Sequence, residues 1–258
     1  MPNRNTESVL ITGASSGIGA ALAEAYATPG ARLALTGRDA ERLKGIAALC
    51  TKAGAAVSTQ VIDVADRAAM AAFVAALDAE RPLDLVIANA GIGGSTSGLV
   101  GGDRSEAVTR RIFAVNLDGV LNTVLPAVPL MSARRRGQIA IVSSLAAYIP
   151  LPGMAAYGAT KSAIKSYGEA LRMELRPKGI GVSVICPGYV RSRLTANGPK
   201  VQPFVKEASA AAELIKRRLA RNPAVIAFPW PLVAATWAVG ALPSWLKLHL
   251  LSIGLRDD

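Results

Sequence analysis

The sequence predicts one doubly wound α/β domain of the Rossmann type, a seven-stranded parallel sheet with helices on both faces. Three observations predict it. Strand-length apolar runs alternate with helix-patterned stretches along the chain, and repeated alternation of this kind implies βαβ units with right-handed crossovers. Hydrophobic residues make up 51% of the 258 residues and aromatics only 5%. That apolar content is mostly Ala, Val, Leu and Ile, as in parallel strands covered on both sides. Finally, a glycine-rich turn directly follows the first apolar run.

In order, the strand-like runs are residues 8–12, 32–36, 57–62, 84–88, 138–143, 181–186 and 224–228. Each is rich in Val, Ile or Leu and of strand length. Between them, residues 17–27, 40–53, 67–80 and 105–133 are Ala/Leu-rich with charges at helical spacing. No low-complexity linker or repeat interrupts the pattern. The domain is therefore drawn over residues 1–229, with an apolar extension at 230–258. Residues 189–207, which follow a strand end and contain Gly198, Pro199 and Pro203, are the expected substrate loop. The glycine-rich residues 91–103 are expected to help shape the same pocket.

Charge and rare residues exclude several classes. Lys and Arg outnumber Asp and Glu, 29 to 18, for a net charge of +11. This suits a phosphate-bearing ligand, a nucleic acid or an anionic membrane, without choosing among them. The basic residues are not interleaved with aromatics, so no nucleic-acid partner is expected. The Arg134–Arg135–Arg136 run reads as a solvated helix end. Cys50 and Cys186 lie far apart and His249 is the one histidine, so neither a disulfide framework nor a metal site is expected. No long apolar stretch precedes Gly13, and a cytoplasmic chain is expected.

The turn reads Thr12-Gly13-Ala14-Ser15-Ser16-Gly17-Ile18-Gly19 and opens a helix. Gly13 permits the tight turn, Gly17 lets the backbone approach a pyrophosphate, and Gly19 lets the helix pack against the sheet. The helix N-terminus adds free N–H groups and positive potential. Gly13, Ser15, Ser16, Gly17, Ile18 and Gly19 are thus the expected cradle of a dinucleotide. An NAD site of this type wants an acid at the end of the second strand, for the ribose 2′-hydroxyl. Gly37 stands there, and Arg38 follows. A guanidinium suits a 2′-phosphate, so NADP is expected over NAD.

Tyr157 and Lys161 are four residues apart at the start of a helical stretch and share a face. An ammonium beside a phenol stabilises phenolate and lowers its pKa from about 10, towards the range of a useful acid/base catalyst. Lys161 could also hold ribose hydroxyls. Ser144 lies thirteen residues before Tyr157, just past a strand end, where a hydroxyl can donate to a substrate oxygen. Ser143 is its near-neighbour alternative. Asn116 sits inside a helical stretch, an unfavourable place that calls for a reason. Asn89-Ala90-Gly91 and Pro187-Gly188 each follow or end an apolar strand.

Together these residues resemble the short-chain dehydrogenase/reductase superfamily, over about residues 8–195. The resemblance implies transfer of a hydride between nicotinamide and a carbonyl or secondary alcohol. It implies Tyr157 as acid/base, Lys161 as its partner and ribose clamp, Ser144 as carbonyl orienter, and Asn116 as holder of a water behind Lys161. Asp63 and Val64 would lie against adenine. Asn89, Ala90 and Gly91 would lie behind the ribose and nicotinamide, and Pro187, Gly188 and Val190 against the carboxamide. Ser192 keeps a hydroxyl where the family often has Thr. A homodimer or homotetramer is expected. The competing expectation is a non-catalytic nucleotide-binding sensor or membrane-associated scaffold that keeps the fold.

The carboxyl-terminal third departs from that pattern. Residues 222–246 contain no charge, and Trp230, Trp237 and Trp245 are all the tryptophans of the chain. Prolines at 229, 231 and 243 leave no apolar stretch near the roughly 20 residues of a spanning helix. Two readings stay open: helices buried at a subunit interface, or a monotopic contact with an anionic membrane.

Overall fold

The computed structural model describes residues 7–93, 103–151, 153–196 and 202–253. Seven strands form one parallel sheet: β1 (Ser8–Thr12), β2 (Arg32–Gly37), β3 (Ala56–Val61), β4 (Leu85–Ala88), β5 (Gly137–Val142), β6 (Ile180–Pro187) and β7 (Val225–Phe228). Their order is β3-β2-β1-β4-β5-β6-β7. The chain winds outward from β1 in one direction and from β4 in the other. The crevice for a ligand therefore opens at the carboxyl ends of β1 and β4.

Continuous apolar strands follow from cover on both faces. Successive side chains of a strand point to opposite faces. Val9 and Ile11 of β1 join Leu33, Leu35, Leu85 and Ile87 in one core. That core is closed by α1 (Gly17–Tyr26), α2 (Ala40–Lys52) and α8 (Ala208–Leu219), through Leu22, Leu43 and Ile215. Leu10 points the other way, into a second core with Val86, Ile139 and Ile141. Met70 of α3 (Arg67–Glu80), Val124 of α5 (Gly119–Ala133) and Ile164 of α6 (Ala155–Leu175) close that one. β3 lies at the sheet edge and is largely exposed, consistent with its Ser58, Thr59 and Gln60. Asp39 and Asp66 start α2 and α3 by accepting from the backbone N–H of Arg42 and Ala69, at 3.1 and 3.0 Å. Both are standard N-caps.

The stretch expected as one helix over 105–133 is divided. α4 (Asp103–Phe113) passes into a π turn, Ala114–Asp118, before α5. π turns are rare inside α-helices and concentrate at functional sites. This one carries Asn116 and buries it completely. Residues Glu106–Ala133 are the one helical run among the described residues that is long and apolar enough to cross a membrane, and half of its most apolar window is buried inside the fold.

After β6 come the short α7 (Arg193–Ala196), then α8 and β7. Two last helices follow, α9 (Trp230–Gly240) and α10 (Ser244–Ile253). No residue of α9 is fully buried. The glycine-rich loop expected to shape the pocket falls mostly at residues 94–102, and the tip of the expected substrate loop at 197–201; both lie outside the described residues.

Candidate active site

The turn after β1 is held by two side chains. Asn89 Nδ2 donates to the carbonyls of Thr12 (2.9 Å) and Gly13 (3.3 Å). Thr12 Oγ1 accepts from the backbone N–H of both Asn89 and Ala90, each at 3.1 Å. Asn89 and Ala90 thus brace the turn from β4. Gly13 has φ +68°, and a Cβ there would lie 2.8 Å from Ala90 Cα. A Cβ on Gly19 would collide with the Gly13 carbonyl and the Asn89 amide. Ser16 stands extended at the N-cap of α1, and its hydroxyl makes no capping bond. The first-turn N–H groups of α1 are thus free of a side-chain cap and point into the crevice. Ser192 faces Gly17 across it, its Cβ 3.0 Å from where a Gly17 Cβ would stand. Ile18 packs on the core behind the turn.

At the end of β2, Gly37 leaves room for Ser15, whose Oγ would lie 3.0 Å from a Cβ. Arg38 is exposed. Asp39 is engaged by Arg42, so Arg38 makes no hydrogen bond or ion pair among the described residues. Asp63, at the end of β3, accepts the Ala65 N–H at 3.0 Å and pairs with Arg111 of α4. Partial burial pushes its carboxyl up. The Ala65 N–H and the Arg111 and Arg38 guanidiniums outweigh that and hold it below the usual carboxylate range. Val64 is buried against Gly119, and its carbonyl accepts from Asn122 at 2.9 Å.

Ser144 is extended and starts a single 3-10 turn, Leu145–Ala147, by accepting from the Ala146 N–H at 3.1 Å. It is also the hydrogen-bond partner of the Tyr157 phenol. Ser143, the alternative, points away and donates to the Lys161 carbonyl at 2.7 Å. Tyr157 and Lys161 are both buried on the first turns of α6. Lys161 Nζ lies 5.6 Å from the centre of the Tyr157 ring and donates to the Val142 carbonyl at 2.9 Å. Thr160 Oγ1 donates to the Tyr157 carbonyl at 2.8 Å and accepts from Asn116 Nδ2 at 3.3 Å.

Asn116 reaches the same place. Its Oδ1 accepts the Ile92 N–H (2.8 Å) and its Nδ2 donates to the Ile92 carbonyl (2.9 Å). A Cβ on Gly91 would stand 3.4 Å from both Asn116 Oδ1 and Lys161 Nζ. Gly91 is therefore the gap between the two. On the far side, Pro187 ends β6, Gly188 N–H donates to the Phe228 carbonyl (2.8 Å), and Val190 is buried and bridged to Lys206.

One electrostatic expectation is corrected. The four-residue spacing predicts that Lys161 pulls the Tyr157 phenol towards neutral pH. Instead burial pushes Tyr157 up, opposed only by the Ser144 hydrogen bond. Burial also pushes the Lys161 ammonium down to about 8, with Cys186 opposing. Desolvation disfavours both charges at once, and the ammonium is turned onto the Val142 carbonyl.

All the expected site residues line the carboxyl edge of the sheet, from Arg38 and Asp63 at one end to Ser192 at the other. Ser144, Tyr157, Lys161 and Asn116 converge through direct or one-residue contacts. Sequence reasoning missed the supporting Thr12, Thr160 and Arg111. Thr12 precedes the first glycine, and Thr160 precedes Lys161; Arg111 carried no signal beyond its charge. No cluster of three metal-ligating side chains occurs among the described residues.

The model of the family described as "short chain dehydrogenase" matches residues 7–202. An uncharacterized oxidoreductase of Myxococcus xanthus is 37% identical over 246 residues, 95% of this chain and 96% of that protein. A short-chain dehydrogenase from Sphingobium yanoikuyae, solved in complex with NADPH, superposes with a TM-score of 0.79 at 29% identity, covering 98% of this chain and 96% of that one. A short-chain dehydrogenase from Mycobacterium paratuberculosis, bound to NAD, shares the fold with a TM-score of 0.74 at 23% identity, over 86% of this chain and 96% of that one. The chain belongs to the short-chain dehydrogenase/reductase family. It is an NAD(P)-dependent oxidoreductase.

Proposed function

We propose that the protein moves a hydride between NADP(H) and a carbonyl or secondary alcohol, with Tyr157 as general acid/base. The observation that carries this reading is the buried Ser144–Tyr157 hydrogen bond with Lys161 Nζ 5.6 Å from the ring. Two hydroxyls then share one point in the crevice, where a substrate oxygen can accept from both.

The cofactor fits what the residues offer. A turn with uncapped N–H groups, an uncommitted Ser16 hydroxyl and a glycine at the close approach suit a pyrophosphate. Gly13, Ser15, Ser16, Gly17, Ile18 and Gly19 would hold it, with Ser192 opposite. Asp63 and Val64 would face adenine, Asn89, Ala90 and Gly91 the ribose side, and Pro187, Gly188 and Val190 the carboxamide. Arg38, with uncharged Gly37 beside it, supports NADP over NAD. When bound, the nicotinamide supplies or takes the hydride.

The protein's own part is a proton. In the reductive direction Ser144 orients the carbonyl oxygen and the Tyr157 O–H protonates it. Lys161 supports the resulting phenolate and the ribose hydroxyls. Asn116, with both amide atoms committed to Ile92, fixes the wall beside Lys161 and any water there. The substrate is a small molecule. A homodimer or homotetramer remains part of this reading.

The test is NADPH consumption over a panel of carbonyls of graded size, with wild type and Tyr157→Phe. Turnover by wild type, lost in Tyr157→Phe with NADPH affinity retained, is expected. NADPH binding with no turnover on the whole panel would favour the sensor reading instead.

A further inference from the structure

The terminal helices α9 and α10 carry large apolar residues on the surface. Trp230, Trp237 and Trp245 are 79%, 67% and 73% exposed, and Leu248 and Leu250 are also exposed. In α9, Trp230 and Trp237 are seven residues apart and so share a face. In α10, Trp245, Leu248 and Leu250 are spread around more than half of the helix, so no single packed stripe would cover them. Three large tryptophans exposed on two successive helices call for a partner, since exposed apolar surface on this scale marks interaction sites.

Charge identifies the occupant. Residues 222–253 contain no Asp or Glu, and their one Lys or Arg is Lys247. In a two-fold contact through α9 and α10 the surface meets itself, and residues 222–253 offer Lys247 no acid; the first acids of the tail, Asp257 and Asp258, come ten and eleven positions after it. An anionic leaflet supplies that answer, and tryptophan side chains suit its headgroup boundary. α9 is 11 residues long, about 16 Å, which is too short to span and long enough to lie in the interface.

α9 also touches the catalytic side. Its Leu232 and Val233 pack against the small cluster of Leu145, Val184 and Cys186, and Leu145 is the residue after Ser144. Leu232 Cδ1 lies 3.1 Å from where a Gly188 Cβ would stand. A surface that receives α9 thus lies next to the place where the carbonyl is held.

We propose that α9 and α10 dock the enzyme on an anionic bilayer and that its substrate is an apolar carbonyl or alcohol resident there. The substrate half rests on the proposed reading of the Tyr157 site; the docking half does not.

Every tryptophan of the chain is on α9 or α10, so intrinsic emission reports this region alone. The full-length protein is titrated with vesicles of phosphatidylcholine mixed with phosphatidylglycerol. A blue shift and co-flotation are expected, both weaker with phosphatidylcholine alone. Lys247→Glu should weaken binding to the anionic vesicles about tenfold. The triple variant Trp230→Gln, Trp237→Gln, Trp245→Gln should fail to float. It should also lose turnover of a long-chain ketone held in the vesicles while keeping turnover of a short water-soluble one. Docking is overturned if wild type does not float, or if emission shifts with protein concentration alone and the triple variant turns a dimer into a monomer. The substrate half is overturned if the triple variant loses both ketones equally. If wild type floats but reduces neither, the proposed carbonyl reading of the Tyr157 site fails and the docking stands.

Discussion

The crevice around Tyr157 and the terminal helices α9 and α10 are built on opposite plans. In the crevice, polar groups are buried and answered. Lys161, Asn116, Thr160 and Ser143 are at most a few per cent exposed, and each has a named partner. On α9 and α10, large apolar groups are exposed. Each arrangement is costly by the ordinary rules of folding, one through desolvation and the other through apolar hydration. The contrast indicates where the protein meets its chemistry and where it meets its surroundings.

The largest expected effect breaks the crevice. Tyr157→Phe removes the proton donor and should lower turnover by about 10²–10⁴-fold, with NADPH affinity nearly unchanged, as read by steady-state kinetics and fluorescence titration. Arg38→Ala should weaken NADPH binding about 10–100-fold and leave NADH binding unaltered, because one charge-assisted contact is lost. Equal losses for both cofactors would remove Arg38 from the 2′-phosphate. Thr12→Val strips the acceptor from two backbone N–H groups and should cost about 1–3 kcal/mol of stability in urea unfolding.

A pH series sharpens the same side. Below about pH 8 the folded and unfolded chains both protonate Lys161, and the buried ammonium is a cost. Between about 8 and the usual 10.5 the unfolded chain binds a proton that the folded chain lacks, so this residue's contribution to stability rises with pH. Lys161→Met should lack that rise. An unchanged slope would mean that Lys161 is better solvated than its burial implies. The smallest effect belongs to the terminal helices: Trp237→Gln alone should change turnover of a water-soluble ketone by less than about twofold, as exposed positions usually allow.

Much of the fold and of the crevice is legible in the amino-acid sequence. Runs of Val, Ile and Leu between helix-patterned stretches locate the strands to within a residue or two, because the inner strands of a parallel sheet are covered on both faces; only the edge strand β3, with Ser58, Thr59 and Gln60, is partly polar. The spacing of Ser144, Tyr157 and Lys161 points at one spot because strand end and helix start fall there together. Three things are not legible. The π turn at Ala114–Asp118 has no sequence period of its own, and only the odd position of Asn116 hints at it. The bracing by Thr12 and the pairing of Asp63 with Arg111 join residues 77 and 48 positions apart, beyond any local pattern. The mutual desolvation of Tyr157 and Lys161 depends on burial, which residue spacing does not reveal.

The measurement closest to the central claim follows the hydride itself. NADPH carrying deuterium at the transferable C4 position is incubated with the enzyme and a ketone that consumes it, and the product is examined by mass spectrometry and NMR. The account predicts one deuterium on the carbinol carbon of the alcohol, formed by wild type and not by Tyr157→Phe. Saturable NADPH binding with no labelled alcohol from any carbonyl, soluble or bilayer-held, would contradict it.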